Sequence, residues 1–279
     1  MARWITTLAP GILLIAMSAA GSAQMIVAHR GASLDAPENT LAAFRLAWKQ
    51  GADGIEGDFY VTKDCQIVCL HDADTKRTAG KKLTVADATL AELRALEYGA
   101  WKDERFRGEP IPTFADVMAV VPAGKKFVIE LKTGPEIVPL LKAELDRLQP
   151  DPAQLLIISF KEETVAACKR ALPAVKAHWL TGYKQDKATG DWHPTLEEVA
   201  RSLRDSNADG LGTEGNRQVV TESFLRQLRE RGLREFHVWT IDEPEDARFY
   251  QQLGAIGITT NRPGFLRKQL PRRLESARE

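Results

Sequence analysis

Short apolar runs alternate with longer amphipathic stretches along almost the whole chain. Residues 25–28 form an apolar run that reads as a first strand, with His29 and Arg30 at its end. Residues 40–50 follow as a helix, with Leu41, Phe44, Leu46, Ala47 and Trp48 as the apolar positions and Gly51 as the stop. A second strand runs over about 52–61, a turn falls at Lys63-Asp64, and 66–70 is apolar again. This pattern predicts a hairpin with residue 56 opposite 71 and 58 opposite 69, which folds His71 back beside Glu56 and Asp58.

The rhythm breaks over residues 73–112, where Thr89-Leu90-Ala91-Glu92 is a capping box for one short helix. It resumes with a helix over 113–121 and strands at 126–131, 155–160, 175–180, 208–211, 235–240 and 255–259. Helices over about 136–148, 161–172, 196–204, 222–231 and 243–253 separate them. Eight strands alternating with helices predict an α/β fold, a (β/α)8 TIM barrel with a small insertion after the second strand. A doubly wound open sheet is the alternative, lowered because no Gly-x-Gly-x-x-Gly follows the first strand.

Before the first strand, Arg3, an apolar stretch over 8–20 and Gly21-Ser22-Ala23 read as a signal peptide, residues 1–23, cleaved after Ala23. The mature domain is then 24–279, secreted or periplasmic. The apolar stretch is too short to span a bilayer comfortably, so no stable membrane insertion is expected after cleavage; an uncleaved anchor is the alternative. Lys plus Arg equals Asp plus Glu at 38 each, a neutral balance that argues against a nucleic-acid partner held by bulk charge. Cys65 and Cys69 lie four apart on one predicted strand, about 13 Å between Cα atoms and beyond disulfide reach. With Cys168 they read as thiols.

Chemistry gathers at strand ends, where a barrel keeps it. Glu56 and Asp58, two apart, leave one face of their strand. Converging carboxylates are costly unless a cation or a proton intervenes, and hard oxygens suit Mg²⁺ or Ca²⁺. His29 and His71 beside them suggest an acid/base pair, and Arg30 brings a fork that matches phosphate. Glu130 and Lys132 end the third barrel strand on one face. The combination points to phosphoryl chemistry.

His29-Arg30-Gly31, Pro37-Glu38-Asn39-Thr40, Glu56-x-Asp58, Thr62-x-Asp64 and His71-Asp72 together resemble the signature of the glycerophosphodiester phosphodiesterase family. Glu130-x-Lys132, Ser159-Phe160, Val238-Trp239-Thr240 and Gly257-Ile258-Thr259-Thr260-Asn261-Arg262-Pro263 continue it over roughly 25–270. The resemblance implies a small-molecule substrate, a glycerophosphodiester, hydrolysed to sn-glycerol 3-phosphate and an alcohol. It implies one divalent cation on Glu56, Asp58 and Glu130, phosphate contacts from Arg30 and Lys132, and proton transfer by His29 and His71. Trp239 would wall the glycerol pocket, and Phe160, Trp179 and Thr213-Glu214 its far side. The insertion would cover the barrel mouth, with Trp101, Arg105 and Arg107 as candidate contacts or plain surface. Glu38 and Asn39 belong to the signature without fixed roles; capping by Asn39 or Thr40 accounts for at least one of that group. His178, His193 and His237 read as structural. The rivals are a barrel phospholipase of the lysophospholipase D or sphingomyelinase D kind, a phosphodiesterase for a cell-envelope polymer, and a catalytically dead binding barrel.

Overall fold

The computed structural model describes residues 24–270; the predicted signal peptide lies outside the described residues. In chain order the strands are β1 (Met25–Ala28), β2 (Gly54–Val61), β3 (Ile67–Cys69), β4 (Lys126–Leu131), β5 (Leu155–Ser159) and β6 (Lys176–Thr181). They continue as β7 (Lys184–Gln185), β8 (Trp192–His193), β9 (Gly210–Glu214), β10 (Phe236–Trp239) and β11 (Gly257–Thr260). The helices are α1 (Leu41–Lys49), α2 (Lys76–Ala79), α3 (Leu90–Arg94), α4 (Phe114–Met118), α5 (Ile137–Leu148), α6 (Glu162–Ala171), α7 (Leu196–Asp205), α8 (Glu222–Glu230), α9 (Pro244–Gln252) and α10 (Pro263–Gln269).

Eight strands, β1, β2, β4, β5, β6, β9, β10 and β11, are parallel, and β1 pairs with both β2 and β11, so the sheet closes into the expected (β/α)8 barrel. Alternation sorts its side chains. Ile55, Phe127, Ile129, Ile157 and Ile258 join the main core, packed with helix residues such as Phe44, Leu141 and Val165. Val27, Val128, Leu156, Ile158 and Leu180 form a smaller cluster of their own, with Met25 and Trp239 against it. Glu130 lies two residues beyond Val128 on β4, on the same face. Glu130 therefore stands just beyond this small apolar cluster.

The hairpin forms, but one residue out of the expected register: Phe59 pairs with Cys69 and Val61 with Ile67. Three residues turn the chain, with Thr62 N–H donating to Gln66 O at 2.9 Å and Cys65 at φ +59°. The extra left-handed residue is what the two-residue turn left out. Asp58 consequently faces Leu70, which donates its N–H to Asp58 O at 2.9 Å, and His71 returns opposite residue 57. The sixth and eighth barrel strands begin later than expected. Ala208 and Ala255 are apolar, but their N–H groups close the preceding helices on Leu203 and Tyr250. The β7–β8 ribbon and α10 were not predicted. Residues 73–112 fold as short helical turns over a separate core of Val68, Leu70, Val85, Leu93, Tyr98 and Ile111. No helix among the described residues is long and apolar enough to cross a membrane.

Candidate active site

β2 and β4 lie in register with Asp58 opposite Glu130. Glu56, Asp58 and Glu130 are buried, and each offers an oxygen within 4.8 Å of the others. Burial and then the Asp58 charge push Glu56 well above the carboxylate range, and the same causes lift Glu130 to about 7. Burial acts on Asp58 as well, but Lys132 and Arg30 bring it below its usual value. Three such carboxylates cannot all ionise unless a cation joins them. Glu56 Oε1 and Asp58 Oδ1 are buried without a hydrogen bond, although Lys132 Nζ stands 3.3 Å from the latter and 2.8 Å from Glu130 Oε1. Uncommitted hard oxygens are the donors a divalent metal ion takes, so these residues fit one.

Arg30 leaves β1 at φ +56° and Gly31 follows at +81°, turning the chain sharply over the barrel. Gly31 admits no side chain, since a Cβ would lie 2.6 Å from Ala43. Arg30 N–H donates to Glu56 Oε2 at 2.9 Å. A terminal nitrogen of its guanidinium donates to Glu38 Oε1 at 3.0 Å, and Nε ion-pairs with Asp58 Oδ2 at 3.2 Å. Asn39 clamps Asp58 from both sides: its amide donates to Oδ2 at 2.8 Å and its carbonyl oxygen accepts from Asp58 N at 3.2 Å. Thr40 is the residue that caps α1. Cys69, buried, donates its thiol to Asn39 Oδ1 at 3.2 Å.

The two imidazoles are held differently. Asn261 donates its amide to Asp242 Oδ2 at 2.8 Å, so its Oδ1 is free to accept from Ser33 Oγ at 3.0 Å and His29 Nδ1 at 2.8 Å. That fixes the proton of neutral His29 on Nδ1 and leaves Nε2 as a base. Burial and then Arg30 lower His29 to about 4. His71 Nδ1 instead donates to Asp72 Oδ1 at 2.7 Å. Arg77 donates to Asp72 and, through both terminal nitrogens, to Glu38. Burial opposes it, but the bonds from Arg77 and His71 hold Asp72 at about 2.

The structure thus gathers His29, Arg30, Glu56, His71, Glu130, Lys132 and Trp239 around one cavity of about 150 Å³. Phe160, edge-on to Trp239 at 5.5 Å, and Leu180 also line an adjoining void of about 760 Å³ that contains Trp179, Tyr183 and Glu214. Thr213 is absent from both, bonded to the Tyr183 hydroxyl. Trp101, Arg105 and Arg107 do not line the cavity: Arg105 donates to Asp35 O, Arg107 pairs with Glu104, and Trp101 donates to Tyr98 O. Sequence reasoning missed Arg77, which resembles any surface arginine, and gave Asn261, Asp72 and Asp242 no role. A carboxylate directly after a strand-end histidine was the available hint.

Buried carboxylates, Arg30, Lys132 and two imidazoles meet at the C-terminal end of a parallel barrel. That defines the class, a barrel hydrolase for phosphate diesters. The glycerophosphoryl diester phosphodiesterase family matches residues 29–265, and the chain belongs to that family. It is 32% identical over 247 residues to a glycerophosphodiester phosphodiesterase of Caldanaerobacter subterraneus subsp. tengcongensis, covering 87% of this chain and 96% of the relative. A Thermotoga maritima glycerophosphodiester phosphodiesterase superposes with a TM-score of 0.68 at 26% identity, over 88% of this chain and 98% of that one. An Oleispira antarctica phosphodiesterase, solved with the product sn-glycerol-3-phosphate, shares the fold at a TM-score of 0.75 and 24% identity, covering 88% and 96%.

Proposed function

We propose that the protein is an exported hydrolase that splits glycerophosphodiesters into sn-glycerol 3-phosphate and an alcohol with one divalent cation, Mg²⁺ or Ca²⁺. The observation that carries this reading is the buried trio with uncommitted oxygens on Glu56 and Asp58. Glu56, Asp58 and Glu130 would hold the cation, which would supply positive charge to polarise the phosphate. Arg30, held between Glu38 and Asp58, would bind the phosphate and stabilise charge that grows on it in the transition state. Lys132 adds a second positive charge from β4. His29, proton on Nδ1 and Nε2 bare, takes a proton from the attacking water, whose oxygen forms the new bond to phosphorus. His71, anchored through Nδ1 by Asp72, gives a proton to the departing alcohol from Nε2. Trp239 offers an apolar wall to the glycerol carbons.

The adjoining void of about 760 Å³ favours a second reading, in which the leaving alcohol is bulky, as in a cell-envelope polymer. Export rests on the leader-like residues 1–23 alone.

The test is product release by purified mature protein from glycerophosphodiesters, a lysophospholipid and a poly(glycerol phosphate), each with and without chelator. Cleavage of the small diesters, lost with chelator and restored by Mg²⁺ or Ca²⁺, is the expected result. Full activity under chelation rejects the cation. Cleavage of the polymer alone selects the second reading.

A further inference from the structure

Residues 73–112 send one side chain back to the catalytic end of the barrel. The first part of this insertion is closed on Thr75. Its Oγ1 donates to Lys81 O at 2.6 Å and accepts from Leu83 N at 3.0 Å, and its N–H donates to Leu83 O at 3.1 Å. Asp74 bridges Thr84 beside it, and Thr75 and Thr78 are buried. The single turn α2 is held there, and Arg77 projects from it.

The Arg77 fork is occupied on the side that faces the barrel. Nη1 donates to Glu38 Oε2 at 2.9 Å, Nη2 to Glu38 Oε1 at 2.8 Å, and Nε to Asp72 Oδ2 at 2.7 Å. Each of these carboxylates has a second partner at the site. Glu38 Oε1 also accepts from Arg30 Nη1 at 3.0 Å, and Asp72 Oδ1 accepts from His71 Nδ1 at 2.7 Å. One chain of contacts therefore runs Arg30, Glu38, Arg77, Asp72, His71. Arg77 is its middle and does not itself line the cavity.

The Arg77 side chain is 42% exposed. Ion pairs this open to water contribute little to stability, so holding the fold does not account for three bonds from one side chain. What they fix is direction. A planar guanidinium bonded to two carboxylates sets how those two stand to each other, which the point charge of an ammonium cannot do. With both oxygens bonded to Arg77, Glu38 meets Arg30 through Oε1 alone and cannot swing round to take its fork side-on. Asp72, gripped on Oδ2, presents Oδ1 to His71.

We propose that Arg77 is a positioning residue for the reaction: through Glu38 it holds the Arg30 guanidinium at the phosphate, and through Asp72 it aims His71 at the oxygen of the departing alcohol. The inference rests on the glycerophosphodiester reading, which gives Arg30 and His71 those roles. As the bond from phosphorus to that oxygen breaks, the oxygen takes the His71 proton. Aim therefore matters most for an alcohol that leaves badly without one. The insertion serves the reaction by bracing it from outside the cavity.

The test measures two glycerophosphodiesters on wild type, Arg77→Ala and Arg77→Lys. One carries an alkyl alcohol as leaving group and the other nitrophenol, which departs without a proton. Arg77→Ala is expected to lose about tenfold in kcat/KM on the nitrophenyl diester, the share that acts through Arg30. On the alkyl diester it should lose about 100-fold, the excess acting through His71. Arg77→Lys keeps the charge without the fork and should fall between wild type and Arg77→Ala on each. Melting temperatures should stay within about 3 °C of wild type. Equal losses on the two diesters, as general loss of structure would give, overturn the link to His71. A loss on the alkyl diester alone overturns the link to Arg30. Arg77→Lys matching wild type on both overturns the fork, even where Arg77→Ala fails to fold. A wild type inert towards both diesters overturns the substrate reading, and with it the roles that Arg77 positions.

Discussion

His29 and His71 reach one cavity from different strands and through different anchors, an amide for the first and a carboxylate for the second. His29→Ala and His71→Ala should each lower kcat by about 10²–10⁴-fold. The double variant should lose far less than the product of the two, as residues acting as a unit do. Steady-state kinetics on folded protein checks this, and additive losses would separate their roles. Asn39→Ala should weaken cation affinity by about 10–100-fold, read by calorimetric titration, because Asp58 loses both bonds that orient it. Most of these positions were legible in sequence. A charged residue set into a short apolar run is conspicuous: Glu56 and Asp58 interrupt the run that forms β2, and Glu130 is the last but one residue of β4. Arg77 was not legible. Its meaning comes from Glu38, 39 residues earlier, which a sequence places nowhere near it.

At the level of elements, capping signals read correctly because they are local. Thr113 accepts from Asp116 N while Asp116 returns a bond to Thr113 N, closing α4 under the hairpin. Thr113→Ala should cost about 0.5–2 kcal/mol, measured by urea unfolding. Strand starts were misplaced where a helix borrowed the first apolar residue, and the hairpin register slipped on a single left-handed residue at Cys65. Both depend on backbone bonds that hydrophobicity does not report. Glu235, just ahead of β10, gives this element a pH signature. Its carboxyl sits at about 2 in the folded chain, against about 4.3 unfolded. The stability it contributes is therefore complete above about pH 4 and lost as pH falls through about 2. Between those limits the melting temperature of Glu235→Gln should fall less steeply than that of the wild type.

For the whole molecule, the barrel was legible because its period is carried by every strand–helix unit, so a slipped boundary in one does not disturb the count. On the proposed reading the buried trio would make cation binding a property of the fold as well as of the reaction. A cation at 100 times its Kd should raise the melting temperature by about 5–10 °C, followed by calorimetry without any substrate. The gain should vanish in Glu56→Gln, and an equal gain there would move the site elsewhere. The barrel closes where β1 meets β11, and the link between His29 and Asn261 crosses that seam. The proposed phosphate contacts, Arg30 and Lys132, come from the first half of the barrel, but the proposed base, His29, is aimed by Asn261, directly after the last barrel strand. A growing chain short of Asn261 has its phosphate contacts and no directed base, so activity should appear late and abruptly in synthesis. Arrival of the last barrel strand then acts as a clock, and on the proposed export route a chain still crossing a membrane would be silent until that strand is in place.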